Sequence, residues 1–74
     1  MENLSLLNKG QMGTVLKIDG NLKLKKRLNA LGCLEGTQVT VLNKAPLGDP
    51  LVIGFRGFSL AIRKTDACKI SVEV

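Results

Sequence analysis

The sequence predicts a mainly β fold: about five short strands curled into a small barrel, with one short helix inserted after the first strand. Three observations carry this expectation. Apolar residues alternate with period two over most of the chain, glycines and prolines punctuate those runs, and a single stretch switches to helical spacing. At 74 residues the chain is one domain, 1–74, with a thin core.

Asn8-Lys9-Gly10 and Gly13 frame a turn into the first strand, Met12 to Ile18. Asp19-Gly20-Asn21 breaks it, since Gly and Asn tolerate left-handed and capping geometry. A helix follows over Leu22 to Leu31, with Asn21 as its N-cap. Leu24, Leu28 and Leu31 recur at i, i+4 and i+7, which places them on one face toward the core. Gly32 stops the helix where a left-handed residue is needed. Period two then returns in Thr37 to Asn43, with Val39 and Val41 inward. A loop around Pro46 and Gly48-Asp49-Pro50 leads to two strands, one carrying Leu51, Ile53 and Phe55, the other Phe58, Leu60 and Ile62. Arg56-Gly57 is the tight turn between them, and both phenylalanines are expected to point inward. Lys64 to Ala67 makes a single turn, and Cys68, Ile70, Val72 and Val74 alternate along a closing strand. Short antiparallel strands in a small chain must curl or close to hide their edges, and an SH3-like barrel does so.

Composition narrows the function. No run approaches the roughly 20 apolar residues that span a bilayer. The N-terminal stretch sets Glu2 before any basic residue, unlike a secretory signal, so a cytoplasmic location is expected. The chain contains no histidine, which removes the commonest general base and metal ligand. No serine has a base motif near it, and Asp19, Asp49 and Asp66 fall in turns, where carboxylates usually cap backbone N–H groups. Gly10-Gln11-Met12-Gly13 lacks the third glycine of a dinucleotide fingerprint, and no P-loop lysine pattern occurs. Cys33 and Cys68 both fall in phase with core positions and form no CxxC or Cys/His group. The expectation is a binding module, not an enzyme, with no catalytic residue, no cofactor and no metal site.

The net charge of +5 is ordinary for a soluble domain of this size, and it also suits nucleic acid, anionic lipid or an acidic protein face as a partner. Lys23, Lys25, Lys26 and Arg27 form the densest basic cluster; helical spacing brings Lys23, Lys26 and Arg27 near one another. Those three residues are candidate partner contacts. Arg56, Arg63 and Lys64 are a second candidate basic patch near the last hairpin. The chain has no Trp and no Tyr, so it offers few stacking platforms, and only salt-sensitive, non-specific nucleic-acid contact is expected.

An ordered series of segments also resembles a known family. Leu6-Leu7-Asn8-Lys9-Gly10 with Gly13-Thr14-Val15 comes first, then Arg27-Leu28-Asn29-Ala30-Leu31-Gly32 and Gly36. Ala45-Pro46-Leu47-Gly48-Asp49-Pro50, Leu60-Ala61-Ile62-Arg63, Asp66-Ala67 and Ile70-Ser71-Val72 complete it. Across nearly the whole chain this series is similar to the ferrous iron transport protein A (FeoA) family. Glu35 departs from the proline often found there in that family, and Cys33 from an aliphatic residue. The resemblance implies an SH3-like accessory domain of bacterial ferrous iron uptake. It also implies a partner, the FeoB membrane GTPase transporter, reached by protein–protein contact without insertion into the membrane; self-association into a homo-oligomer stays open. Gly10, Gly13 and Val15 also resemble the glycine-valine signature of KOW-type RNA- or ribosome-binding barrels, the alternative reading.

Overall fold

Alternating apolar residues and well-placed turns build six strands, seen in a computed structural model that describes residues 2–20 and 22–74. The expected N-cap at Asn21 lies outside the described residues. In chain order the elements are β1 (Glu2–Asn3), a 3-10 turn (Leu4–Leu6), β2 (Met12–Ile18), α1 (Leu22–Ala30) and β3 (Gln38–Lys44). β4 (Leu51–Phe55), β5 (Phe58–Ile62), the single turn α2 (Lys64–Ala67) and β6 (Ile70–Glu73) complete the chain. The strands form one antiparallel sheet in the order β1-β6-β2-β3-β4-β5. It curls toward a barrel but stays open, since β1 and β5 are its edges and no ladder joins them among the described residues. Two register shifts, between Val15 and Lys17 in β2 and between Val41 and Asn43 in β3, mark bulges of the kind that bend and twist a strand.

Curling puts Val15, Val39, Val41, Leu51, Ile53, Ile70 and Val72 on one buried face. Leu24 and Leu28 of α1 cover it from one side, Leu4 and Leu7 of the N-terminal turn from another. α1 ends in a Schellman arrangement: the Gly32 N–H donates to the Asn29 carbonyl at 3.0 Å, and the Cys33 N–H to the Leu28 carbonyl at 2.9 Å. Gly32 supplies the left-handed φ of +93° that this requires. Cys33 and Leu28, the positions between which the motif usually adds an apolar contact, are both fully buried in the core. The β4–β5 turn is of the two-residue kind suited to strand twist, with Arg56 at φ +49° and Gly57 at φ +83°.

Four side chains depart from the expected pattern; one is Val74, expected in phase with Ile70 and Val72, which lies past the end of β6 at Glu73 and is exposed. Leu31 was expected in the core, but α1 stops at Ala30 and the chain turns away there, leaving Leu31 38% exposed. Phe58 was expected to point inward; it shares the face of Ile62, but β5 outruns the core, and Phe58 is 61% exposed. Cys68 was expected in phase with Ile70 and Val72, but it caps α2 and is exposed, because β6 begins only at Ile70.

One contact locks the N-terminal turn in place. The Lys44 ammonium donates to the Ser5 carbonyl at 3.0 Å and to the Leu7 carbonyl at 3.1 Å, joining β3 to carbonyls that the 3-10 turn leaves open. Lys44→Met keeps the aliphatic stem and removes these bonds. The expected loss is about 1–3 kcal/mol, read from the urea unfolding midpoint. A midpoint equal to wild type would show that water replaces the ammonium without cost.

Candidate functional site

Burial of Leu24 and Leu28 turns the remaining faces of α1 outward. Helical spacing then puts Lys26 on the crest, Lys23 and Arg27 on one flank and Lys25 with Asn29 on the other. The surroundings follow this division. Lys23, Leu24 and Arg27 line a shallow groove of about 170 Å³ with Asp66 from α2. Lys25 and Asn29 line another of about 250 Å³ with Ile18, Leu34 and Glu35. The expected trio is therefore brought together, but Lys23 and Arg27 share their groove with a carboxylate. Lys26, away from both acidic groups, is the charge best placed to meet an acidic partner.

The second expected patch is divided. Arg56 sits in the β4–β5 turn, against the C-terminal end of α1: a Cβ added to Gly32 would come within 3.4 Å of its Cδ. A cation there complements the helix carbonyls. Arg63 and Lys64 stand at the other end of β5, roughly 20 Å away along an extended strand. The Lys64 backbone N–H donates to Asp49 Oδ1 at 2.9 Å, so the Asp49 loop caps α2. At the Arg56 end, over β3, β4 and the β4–β5 turn, lies an open depression of about 500 Å³. Gln38, Thr40, Leu42, Gly54, Phe58 and Ser59 line it, together with Arg56, and none of its lining residues is acidic. Sequence reasoning missed it, because it depends on Phe58 outrunning the core and on Gly54 leaving space over β4. The Leu42 side chain occupies part of that space, 2.9 Å from where a Gly54 Cβ would stand.

The cysteines divide as well. Cys33 is buried, and desolvation pushes its thiol above the ordinary value of 9.0. Cys68 is exposed, with its Sγ 3.3 Å from Ser5 Oγ. Among the described residues no three His, Cys, Asp or Glu side chains come together as metal ligands.

The order of strands, the inserted helix and the paired N- and C-terminal segments are those of a known domain, and the FeoA domain matches residues 2–74. The chain belongs to the FeoA family. The Fe(2+) transport protein A/Fe(2+) transporter FeoB fusion protein of Porphyromonas gingivalis is 32% identical over 71 residues. These cover 96% of this chain and only 8% of that protein's length. The solution structure of the FeoA protein from Chlorobium tepidum is 33% identical, with a TM-score of 0.92, over 97% of this chain and 69% of that one. Stenotrophomonas maltophilia FeoA, described as a procaryotic SH3 domain protein and complexed with zinc, is 26% identical with a TM-score of 0.84. That match covers 99% of this chain and 91% of the other. The expected SH3-like architecture is thus that of the FeoA family, here with its sheet open between β1 and β5.

Proposed function

We propose that the chain is a non-catalytic contact module of ferrous iron uptake that docks on the cytoplasmic face of a FeoB-like transporter and biases its conformational equilibrium. The observation that carries this is the Porphyromonas gingivalis fusion, where a domain like this one shares a polypeptide with the transporter. A covalent link raises the effective concentration of two parts that work by touching, and it serves little purpose for parts that do not meet. Capture of a membrane GTPase from extract, insensitive to nuclease, is the expected result. Capture of nuclease-sensitive ribosomal components in its place would favour the KOW-type reading.

On this reading the α1 face contributes to docking. Charges at the rim of a contact chiefly raise the association rate and fix orientation, while apolar neighbours hold the complex. Exposed Leu22, the first residue of this helix, and Leu34, just beyond its end, offer such neighbours. Reversing Lys23, Lys26 and Arg27 to Glu is expected to leave the fold intact and to slow association about tenfold or more at low salt. The wild-type rate is expected to fall as salt rises. Surface plasmon resonance on the folded triple variant reads both, and an unchanged rate at low salt removes α1 from the contact.

A further inference from the structure

We propose that the outer edge of β5 is a strand-addition site for a protein segment whose extended, apolar middle is flanked by carboxylates at both ends. The site rests on the reading of the chain as a contact module and names the chemistry of what it grips. β5 ends the sheet, with β4 as its only strand neighbour among the described residues. Because the Arg56-Gly57 turn has two residues of positive φ, Phe55 and Phe58 form the first hydrogen-bonded pair of the hairpin. Strict alternation then commits the backbone groups of Phe58, Leu60 and Ile62 to β4. It turns the N–H and C=O of Ser59 and Ala61 outward, where no other backbone group meets them among the described residues.

Exposed edges are ordinarily protected by a lysine, a proline or a bulge within the strand. β5 has none of these: its sequence is FSLAI, and its register with β4 runs without a shift from Leu51↔Ile62 to Phe55↔Phe58. Charge stands just beyond its ends, Arg56 before it and Arg63 with Lys64 after it, all exposed. Among the described residues none of the three forms an ion pair. This placement decides the occupant. A second copy, paired antiparallel over the whole strand, would set Leu60 against its counterpart and Arg56 against the second copy's Lys64, like charge on like charge at both ends. A segment with carboxylates at both ends meets attraction at each. The depression beside Phe58 and Ser59, free of acidic residues, adjoins the same edge.

The test uses the whole chain, labelled with nitrogen-15, and a synthetic peptide of about nine residues, alternating Val and Thr with glutamates at each end. The expected result is slowing of amide hydrogen exchange at Ser59 and Ala61 by roughly tenfold or more at saturating peptide. A peptide ending in lysines is expected to leave both amides unchanged. Ala61→Pro removes an outward N–H without taking a bond from β4, and is expected to abolish binding. If that variant does not fold, the double variant Arg56→Glu, Lys64→Glu replaces it, with preference for the lysine-ended peptide expected. Protection that maps to α1, equal binding of both peptides, or protection growing with protein concentration without peptide would each overturn the proposal. Capture of the transporter separates the two readings. Full capture by Ala61→Pro sinks the edge site and leaves the contact module standing. No capture by wild type sinks the module, while the peptide experiment still decides the edge.

Discussion

Replacing Ile53 by alanine is expected to cost about 2–5 kcal/mol, a large share of the margin of the fold. Ile53 sits at the centre of β4, fully buried, paired with Val41 on one side and Leu60 on the other. Its own strand is held by ladders on both sides, to β3 and to β5, so the backbone around it cannot close into the space that the lost carbons leave. A chain of this size has roughly 4–11 kcal/mol of stability. The melting temperature is therefore expected to fall by about 10–30 °C. Leu47, 89% exposed in the loop before β4, supplies the contrast: Leu47→Ala should stay within about 0.5 kcal/mol of wild type. Thermal and urea unfolding of the two variants side by side checks the pair. Equal losses would mean that β4 is not at the centre of the core.

The two thiols should differ in native reactivity by about a thousandfold or more, since one is open to solvent and the other waits for the fold to open. A thiol reagent near neutral pH is expected to label Cys68 at once and Cys33 only at the rate of opening. Mass spectrometry after timed quenching distinguishes them, and rapid double labelling would show that the Leu28–Cys33 corner is loose. The raised pKa of Cys33 also sets a pH dependence. Its cause is burial, which disfavours the thiolate in the folded state only. Below the ordinary value of 9.0 both states hold the proton, and stability is unaffected. Above it the unfolded thiol ionises first, so stability falls as pH rises toward the folded pKa. The difference between wild type and Cys33→Ala isolates this contribution from the lysines, and it is expected to shrink from pH 8 to pH 10.

Local signals carried most of the fold. β2 runs over the expected residues, Met12–Ile18, because turn residues bound it on both sides. α1 ends one residue early, at Ala30, because Gly32 and the Schellman bonds take over the last turn. What was missed depends on partners far along the chain. β1 is too short for any period to show, and only its pairing of Glu2 with Val72 and Asn3 with Ser71 makes it a strand. Lys44 reads as one more surface cation until the carbonyls of Ser5 and Leu7 arrive beside it. Cys68 was misplaced by running period two backward through the end of α2, where the spacing no longer applies.

The candidate contacts show the same division. The helix spacing was enough to group Lys23, Lys26 and Arg27, but not to reveal Asp66 between α1 and α2, since that carboxylate arrives from another element. Arg56, Arg63 and Lys64 are close in sequence and were grouped for that reason. An extended strand between them does the opposite of a helix and carries them to its two ends.

The position of β6 bears on how the chain is made. Although β6 is the last strand in sequence, it lies inside the sheet, between β1 and β2. On the ribosome, β2 to β5 and α1 emerge as a contiguous block of hairpins and helix, rich in short-range contacts. β2 nevertheless keeps a bare edge, and β1 has no neighbour, until residues 70–73 have left the exit tunnel. The nascent sheet thus carries two open sides, at β2 and at β5, and β6 closes the first. That leaves a window in which a neighbouring nascent chain can donate its own β6 and exchange strands, a hazard that rises with the density of ribosomes on the message.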